Sequence, residues 1–318
     1  MKILLLGKNG QVGQELLHAL GRPIPGESSP GSTDSATPEV IALGRDEADL
    51  NDQDSVANAL ERHAPHIIIN AAAYTAVDKA EGDEATAMRI NATAVGWMAD
   101  YARSHDALLV HYSTDYVFDG LKKQAYTEDD TPNPQSVYGR SKRAGEQAII
   151  ASGCQALIFR TSWVYSVHGG NFVKTIIRLA KERESVSIVA DQIGAPTSAQ
   201  HIANITARAV AAWQAGRLRA GIYHLAAAGA TSWHGLAAHV VGRLETRMNE
   251  RPAGSAPLKL QLENVKPTTT DNYPLPAKRP KNSQLDTGTL SAALNVKMPH
   301  WSVDVDAVVD RLIQTGET

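Results

Sequence analysis

The sequence predicts an α/β protein: a Rossmann-type, doubly wound parallel sheet followed by a smaller, mixed α/β domain. Two observations support this fold class. Apolar runs of strand length alternate with segments that suit helices, and the runs are continuously hydrophobic, as in strands covered on both faces. A glycine-rich turn follows the first run directly, as where a strand meets the first helix of such a sheet. We place the sheet domain at residues 1–165 and the second domain at 166–318.

The predicted elements alternate along the chain. The predicted strands cover residues 3–6, 40–43, 67–69, 108–111 and 157–160. The predicted helices cover residues 11–20, 55–63, 85–103 and 139–151. Residues 222–225 predict one more strand, which we expect to return to the sheet from late in the chain. Residues 23–38 and 265–281 are rich in proline; the first segment predicts a mobile surface insertion and the second an ordered loop.

Composition excludes several classes of protein. The net charge of −3 provides no basic surface for nucleic acid or for an anionic membrane. The apolar run at 3–6 is too short for a signal peptide, and no segment reaches the ~18 consecutive apolar residues of a membrane span. Cys154 is the single cysteine, so it forms no intrachain disulfide, which favours a reducing compartment. We therefore predict a cytoplasmic protein without nucleic-acid or membrane partners.

The glycine-rich turn has the spacing GxxGxxG. Glycines at such a turn let backbone N–H groups approach a pyrophosphate, and the helix N-terminus that follows favours an anion. The usual dinucleotide fingerprint is GxGxxG, so the position between strand and helix supports the prediction more than the spacing does. We predict a dinucleotide site that includes Gly7, Gly10, Gln11, Val12 and Gly13.

The end of the second predicted strand indicates which dinucleotide binds. An acidic residue there usually contacts the adenine ribose of NAD, whereas this strand is followed by Gly44-Arg45. A guanidinium suits the 2′-phosphate of NADP, because it binds phosphate as a planar fork. We therefore predict NADPH as the cofactor, with NADH as the alternative. The alternative for Arg45 itself is a solvated side chain at a strand end.

Two further segments are assigned to the adenosine half of the cofactor. Ala71, Ala72 and Ala73 follow the third strand, where small side chains leave room for a ligand. Asp49 and Leu50 are candidate contacts to adenine, although Asp49 could equally be the N-cap of the next helix.

Tyr138 and Lys142 form the only Tyr–Lys pair at i, i+4, which puts both side chains on one face of a helix. A neighbouring ammonium favours the phenolate and brings a phenol, whose ordinary pKa is about 10, towards acid–base chemistry. Tyr112 and Thr114 end the fourth strand, at the edge where ligands bind in such sheets. We assign Tyr112 to the cofactor site and expect the Thr114 hydroxyl to meet the carbonyl that Tyr138 protonates. An exposed Tyr–Lys contact without function is the alternative.

Together these motifs resemble the extended short-chain dehydrogenase/reductase superfamily and, within it, the dTDP-4-dehydrorhamnose reductase family. The resemblance covers nearly the whole chain apart from the insertion at 23–38. Beyond the motifs above, it rests on residues 70–81, 111–118, 159–165, 191–197 and 279–286.

The resemblance implies that NADPH reduces the 4-keto group of a dTDP-linked keto sugar, dTDP-4-dehydro-β-L-rhamnose. It implies that Tyr138 gives the proton, and that Lys142 holds the nicotinamide ribose and lowers the tyrosine's pKa. Asp115 and Trp163 would contact the sugar, although Trp163 could instead be a core residue at a strand end. The residues that would close over the nucleotide diphosphate are Arg279, Asn282 and Ser283.

The residue after Thr114-Asp115 separates two activities within the superfamily. Nucleotide-sugar 4,6-dehydratases resemble this region but carry Glu at that position, whereas this chain has Tyr116. The resemblance therefore favours reduction over elimination of water. Two alternatives stay open: a reductase or epimerase of another nucleotide-linked keto sugar, and a non-catalytic regulatory subunit that binds NADP. Loss of the tyrosine–lysine pair would be expected of the regulatory subunit, and here the pair is present.

The resemblance also bears on metal and assembly. Some family members dimerise around Mg²⁺ held by carboxylates, and Glu15 fits one of these ligands. Gln200 and the segment 287–290 offer no carboxylate where the others would stand, and amides and hydroxyls make a poor Mg²⁺ site. No histidine pair has a carboxylate or cysteine beside it to complete another metal site. We predict a monomer or weak homodimer without structural Mg²⁺.

Overall fold

The computed structural model describes residues 1–21, 38–249 and 258–316. The insertion predicted at 23–38 therefore lies outside the described residues, except for Pro38.

Strands and helices alternate through most of the described chain. The strands are β1 (Lys2–Leu6), β2 (Glu39–Leu43), β3 (Ile67–Asn70), β4 (Leu108–Thr114), β5 (Ala156–Thr161), β6 (Val164–Tyr165), β7 (Val186–Val189), β8 (Ile193–Gly194), β9 (Thr197–Ser198), β10 (Gly221–His224), β11 (Thr231–Ser232) and β12 (Val265–Thr268). The helices are α1 (Gln11–Leu20), α2 (Gln53–His63), α3 (Val77–Ala80), α4 (Glu84–Met88), α5 (Ala94–Ser104), α6 (Val137–Ser152), α7 (Phe172–Glu182), α8 (Ala199–Gln214), α9 (Trp233–Asn249), α10 (Gly288–Leu294) and α11 (Trp301–Thr315).

Six strands form one parallel sheet in the order β2-β1-β3-β4-β5-β10. Successive side chains on a strand point to opposite faces, and both faces are covered. Ile3 and Leu5 belong to the core cluster under α1 and α8, whereas Leu4 and Leu6 belong to the cluster under α2 and α5. Burial on both faces explains the continuous apolar runs, and the predicted fold class is confirmed. Because the chain leaves β1 towards β2 on one side and reaches β3 on the other, a crevice opens at the carboxyl ends of β1 and β3.

The helix predicted at 85–103 is interrupted by a π-helical turn, Arg89–Thr93. The Asn91 side chain accepts a hydrogen bond from the Tyr74 backbone N–H at 2.9 Å and donates one to a hydroxyl on α6 at 3.0 Å. Gly145 of α6 permits this approach, since a Cβ there would lie 2.2 Å from the Asn91 carbonyl oxygen. The π-helical turn thereby ties the loop after β3 to α6.

The second half of the chain has its own core between α7, α9 and α11, beside the β7–β12 pair. The prediction of a loop at 265–281 is wrong for its first four residues, which form β12, parallel to β7. Pro267 is tolerated there because β12 pairs with β7 alone among the described residues, so the missing N–H faces an edge. Residues 269–281, named the strap below, lack strands and contain one 3₁₀ turn, Thr270–Asn272. The domain boundary at 165/166 stays a prediction.

Candidate active site

A cavity of about 730 Å³ lies at the carboxyl ends of the parallel strands, where the crevice between β1 and β3 opens. Most of the residues predicted from sequence meet here. Those that line the cavity are Gly7, Gly10, Gln11, Val12, Arg45, Asp49, Leu50, Ala71, Ala72, Ala73, Tyr112, Thr114, Asp115, Tyr138, Lys142 and Trp163.

The glycine-rich turn forms one end of this cavity. Gly7 has φ +90°, and a Cβ there would lie 2.7 Å from the backbone nitrogen of Ala72. Gly13 serves packing and does not border the cavity, since its Cβ would lie 2.1 Å from the Gly7 carbonyl oxygen. Gly10 caps α1 without a side chain, so the first N–H groups of the helix face the cavity edge free of a side-chain acceptor. The turn, the helix end and the space beside Ala72 fit a dinucleotide pyrophosphate.

The segment after β2 carries the predicted specificity residue. Arg45 is 78% exposed, and its guanidinium lies 3.5 Å from the Asp49 carboxylate. Asp49 accepts a hydrogen bond from the backbone N–H of Asn51, whereas Asp52 caps α2 through the N–H of Asp54. The N-cap alternative for Asp49 is therefore wrong. An exposed guanidinium at the cavity rim is free to turn towards an anion.

Helix α6 presents the Tyr–Lys pair to the cavity. The Ser136 hydroxyl caps the helix by accepting from the Gly139 N–H at 3.1 Å, which starts α6 directly before Tyr138. Burial raises the pKa of Tyr138 to about 12; the nearby Thr114 hydroxyl opposes this shift and the charge of Asp115 adds to it. The Tyr138 phenol is therefore protonated at neutral pH, the form that a proton donor needs.

The predicted effect of Lys142 on the pKa of Tyr138 stays a prediction. The Lys142 ammonium donates to Nε2 of His111 at 3.2 Å, and the other ring nitrogen of His111 lies 3.2 Å from the Asn70 side-chain amide. Burial lowers the pKa of Lys142 to about 8, while the charge of Glu146 raises it. Burial and the neighbouring ammonium also lower the pKa of His111 well below its ordinary value, so this imidazole is neutral.

Thr114 and Asp115 stand opposite Tyr138. The Thr114 hydroxyl donates to Oδ1 of Asp115 at 2.9 Å. The second carboxylate oxygen, Oδ2, is buried without a hydrogen-bond partner among the described residues. Burial raises the pKa of Asp115 to about 6, and the nearby hydroxyls of Ser283 and Thr114 oppose the shift. A buried acceptor that lacks a partner at a cavity wall suits a ligand hydroxyl.

A buried ion cluster lies behind this wall. Glu146 is fully buried, accepts from Ser113 at 2.6 Å and binds the Arg160 guanidinium through two hydrogen bonds at 2.8 and 2.9 Å. Burial alone would raise the pKa of Glu146, but Arg160 and Ser113 reverse the shift and lower it. The cluster joins β4, β5 and α6, and thereby fixes Thr114 relative to the Tyr–Lys pair. Sequence analysis did not find it, although Glu146 lies one turn after Lys142.

The far wall of the cavity comes from the second half of the chain. Trp163 is half-buried, and its backbone lies in the left-handed region at φ +48°. Its indole stacks on Trp233, with centroids 3.6 Å apart and planes at 9°. Asn171 also lines this wall and donates to the Gln11 side chain at 3.0 Å. Sequence analysis missed Trp233 and Asn171, because no motif places either residue near the sheet edge.

A second cavity, of about 990 Å³, adjoins the first beside Trp233, which lines both. The strap forms one of its walls. Arg279 lines it and is held by two hydrogen bonds, at 3.0 and 2.7 Å, to Asp78 of α3, whose pKa this guanidinium lowers. Ser283 approaches Asp115, whereas the Asn282 amide donates to two backbone carbonyls of the loop at 122–124. Of the three residues assigned to the diphosphate, Arg279 alone lines this cavity.

Glu15 and Gln200, which the sequence analysis considered for a metal and rejected, lie elsewhere. Glu15 is buried beside His168, with 3.4 Å between Oε1 and Nε2, and borders a cavity of about 30 Å³ together with Gln200 and Arg311. Within residues 1–21, 38–249 and 258–316, no group of three or more His, Cys, Asp or Glu side chains could hold a metal ion. Across the same residues, no helix has both the length and the apolar character needed to cross a membrane.

The parallel sheet, the glycine-rich turn and a buried Tyr–Lys pair at the strand ends define a dinucleotide-dependent oxidoreductase of the short-chain dehydrogenase/reductase class. The chain belongs to the family described as RmlD substrate binding domain, whose model matches residues 1–314.

Comparisons with individual proteins agree with this family. The chain is 43% identical over 317 residues to a dTDP-4-dehydrorhamnose reductase of Burkholderia thailandensis, covering 98% of this chain and 99% of that protein. The structure matches a dTDP-4-dehydrorhamnose reductase of Clostridium acetobutylicum with a TM-score of 0.83 and 32% identity, covering 98% of this chain and 100% of that one. It also matches a dTDP-4-dehydrorhamnose reductase of Bacillus anthracis, solved in complex with NADP, with a TM-score of 0.81 and 32% identity over 98% of this chain and 99% of that one. The resemblance inferred from the sequence motifs is thereby confirmed.

Proposed function

We propose that this protein uses NADPH to reduce the 4-keto group of dTDP-4-dehydro-β-L-rhamnose, giving dTDP-β-L-rhamnose. The observation that carries the proposal is a protonated, buried phenol, Tyr138, in the same cavity as a turn that fits a pyrophosphate. The names of the relatives supply the substrate, and the chemistry of the cavity is consistent with them.

The residues of this chain divide the work along the first cavity. The backbone at Gly7 and Gly10 receives the pyrophosphate, and Arg45 turns from Asp49 to the 2′-phosphate. NADPH, when bound, supplies the hydride that reduces the carbonyl carbon. Lys142 would hold the nicotinamide ribose hydroxyls, and its ammonium, one helical turn from Tyr138, would lower the phenol's pKa.

Proton transfer to the sugar oxygen completes the reduction. Tyr138 gives its proton to the alkoxide that forms at sugar C4, while the Thr114 hydroxyl turns from Oδ1 of Asp115 to donate a hydrogen bond to the same oxygen. Oδ2 of Asp115, a buried acceptor, takes a hydrogen bond from a neighbouring sugar hydroxyl. The residue after Asp115 is Tyr116, a phenol whose pKa burial raises. Because its side chain is a phenol, it provides no second carboxylate for the removal of water.

The second cavity suits the nucleotide half of the substrate. Its side chains include a guanidinium at Arg279 and ammonium groups at Lys278 and Lys281, while Tyr273 and Leu275 offer apolar surface. We assign the diphosphate to the place beside Trp233 where the two cavities adjoin, and the thymidine to the part of the second cavity that the strap walls. In this assignment Arg279 keeps Asp78 as a partner and meets the diphosphate with its remaining N–H groups.

The test is oxidation of NADPH by the purified protein with dTDP-4-dehydro-β-L-rhamnose made in situ. We expect turnover by the wild type and a loss of kcat of about 10²–10⁴-fold in Tyr138→Phe, since the variant keeps the ring and loses the proton. Tyr101→Phe is the matched control and should retain activity, because Tyr101 lies in α5 and does not line the cavity.

NADPH binding by Tyr138→Phe, measured by fluorescence, separates loss of chemistry from loss of fold. If the wild type binds NADPH but reduces no dTDP-linked keto sugar, the substrate assignment is wrong. Turnover of another nucleotide-linked keto sugar would then identify a related reductase or epimerase, and inactivity with all of them would identify a regulatory subunit.

A further inference from the structure

The stacked pair Trp163–Trp233 is held by an unusually close contact at Gly194. A Cβ at Gly194 would lie 2.6 Å from Cε2 and 2.9 Å from Nε1 of the Trp163 indole. Real Cβ atoms do not approach ring atoms this closely, so any larger residue displaces the ring. The backbone of Gly194 is not in the left-handed region, so glycine is needed here for space and not for conformation.

The opposite face of the stack is also fixed. Trp233 contacts the Phe172 ring edge-on, with centroids 4.7 Å apart, and its indole N–H donates to the Gln192 side chain at 3.2 Å. Gln192 in turn donates to the Thr270 hydroxyl of the strap at 3.0 Å. The short ladder of β8 with β11 joins Gly194 to the residues just before Trp233. The two indoles are therefore clamped between a glycine and the strap.

This clamped stack borders the place where the two cavities meet. Trp163 lines the first cavity, and Trp233 lines both. Consecutive residues of α3 divide in the same way, with Val77 on the first cavity and Asp78 on the second. A ligand that fills both cavities would therefore run past α3 and the stack.

We propose that Gly194 and Trp233 are positioning residues that hold the Trp163 indole as a fixed wall, so that the passage accepts only a slim linker such as a diphosphate. The inference rests on the proposed function, because it assumes that one substrate spans both cavities. The wall sets the distance of the keto sugar from Tyr138, and neither of its two indoles has a hydrogen bond or ring contact with the described residues of the glycine-rich turn.

The decisive variant is Gly194→Ala, with Gly221→Ala as its matched control. A Cβ at Gly221, in β10, meets nothing closer than 3.8 Å, and its backbone also lies outside the left-handed region. For Gly194→Ala we expect the kcat/KM for the keto sugar to fall by about 10-fold or more, chiefly through KM, since displacement of a substrate wall by about 1 Å misplaces the reacting group. The KM for NADPH should change by less than about twofold, because no cofactor contact moves.

A second readout does not depend on activity. Stacked indoles give a near-UV circular dichroism signal, which Trp233→Leu should remove and Gly194→Ala should reduce, with Gly221→Ala unchanged. Thermal unfolding of each variant shows whether the fold is intact.

The outcomes separate the two proposals. An unchanged dichroism signal in Gly194→Ala, or equal changes in KM for sugar and for NADPH, would overturn the positioning role. If Gly194→Ala changes the dichroism signal but the wild type reduces no dTDP-linked sugar, the positioning role stands. The proposed substrate is then refuted instead.

Discussion

The two cavities are built in different ways. The first is walled by strand ends and α6, which a fully buried ion cluster at Glu146 and Arg160 joins together. The second is walled largely by the strap, which carries exposed apolar side chains and is fastened to α3 by Asp78 and Arg279. A rigid pocket suits chemistry, which needs fixed distances, whereas a loop wall can adapt to the bulk of a ligand. Changes around the first cavity should therefore affect stability and kcat, and changes around the second should affect KM.

The largest effect is expected at the buried cluster. Glu146→Ala leaves the Arg160 guanidinium buried without its carboxylate, so the free energy of unfolding should fall by about 3–5 kcal/mol. Urea unfolding measures this change. Glu182→Ala is the matched control, because its ion pair with Arg178 is exposed and should contribute only about 0.5 kcal/mol or less. Equal losses in both variants would contradict the contrast between buried and surface charges.

Substitution of Asp115 is expected to raise the free energy of unfolding, the opposite of the effect at Glu146. Its pKa is raised to about 6 by burial, so the fold favours the protonated carboxyl. This contribution to stability is complete below the unfolded pKa of about 4 and is lost as the pH rises through 6. Asp115→Asn should therefore raise the free energy of unfolding at pH 7.5 by on the order of 1–3 kcal/mol and lower kcat/KM for the sugar.

The pH dependence tests this assignment of Asp115. Urea unfolding of both proteins between pH 4 and pH 8 should show the gain shrinking towards zero at the acidic end. A gain that stayed constant across this range would mean that ionisation of Asp115 is not its source.

The open rim of the first cavity is expected to give an intermediate effect. Arg45→Ala removes the guanidinium proposed for the 2′-phosphate, and a charged hydrogen bond of this kind contributes about 1.5 kcal/mol or more. The KM for NADPH should rise by about 10-fold, and the KM for NADH should stay nearly constant. Initial rates with the two cofactors measure the ratio. A wild type that already used NADH as well as NADPH would contradict the cofactor assignment.

The strap should respond more weakly and through binding. Asp78→Asn loses the charge that holds Arg279, so we expect the KM for the nucleotide sugar to rise about 5-fold with kcat nearly unchanged. Asp271→Asn, an exposed carboxylate on the same cavity, controls for charge alone. A fall in kcat as large as the rise in KM would show that the strap also shapes the first cavity.

The smallest effect is expected from Mg²⁺. Glu15 lies beside His168, and Gln200 at the same small cavity is a neutral amide, so we expect neither a metal site nor a metal-dependent dimer. Sedimentation velocity with Mg²⁺ and with a chelator should give the same coefficient. A dimer that forms only with Mg²⁺ would refute this prediction.

The parts of the site that sequence predicted are encoded by neighbouring residues. The glycine-rich turn and the pair Tyr138–Lys142 each lie within one stretch of chain, where strand, turn or helix period fixes the geometry. The side chains that contact these site residues and alter their electrostatics come from distant positions in the sequence. His111 accepts a hydrogen bond from the Lys142 ammonium, and Asp78 accepts one from Arg279, because sheet and strap packing bring them together. No periodicity reports such contacts, so they could not be predicted from the sequence.

The last strand of the main sheet has a consequence for how the chain can be divided. β10 covers the edge of β5 only after the chain has already built α7 and α8. A fragment that stopped near residue 165 would leave β5, with its apolar Leu157 and Phe159, as an exposed edge strand. Other chains could pair with this edge and aggregate. A fragment that keeps this edge covered would therefore have to extend past β10, which ends at His224.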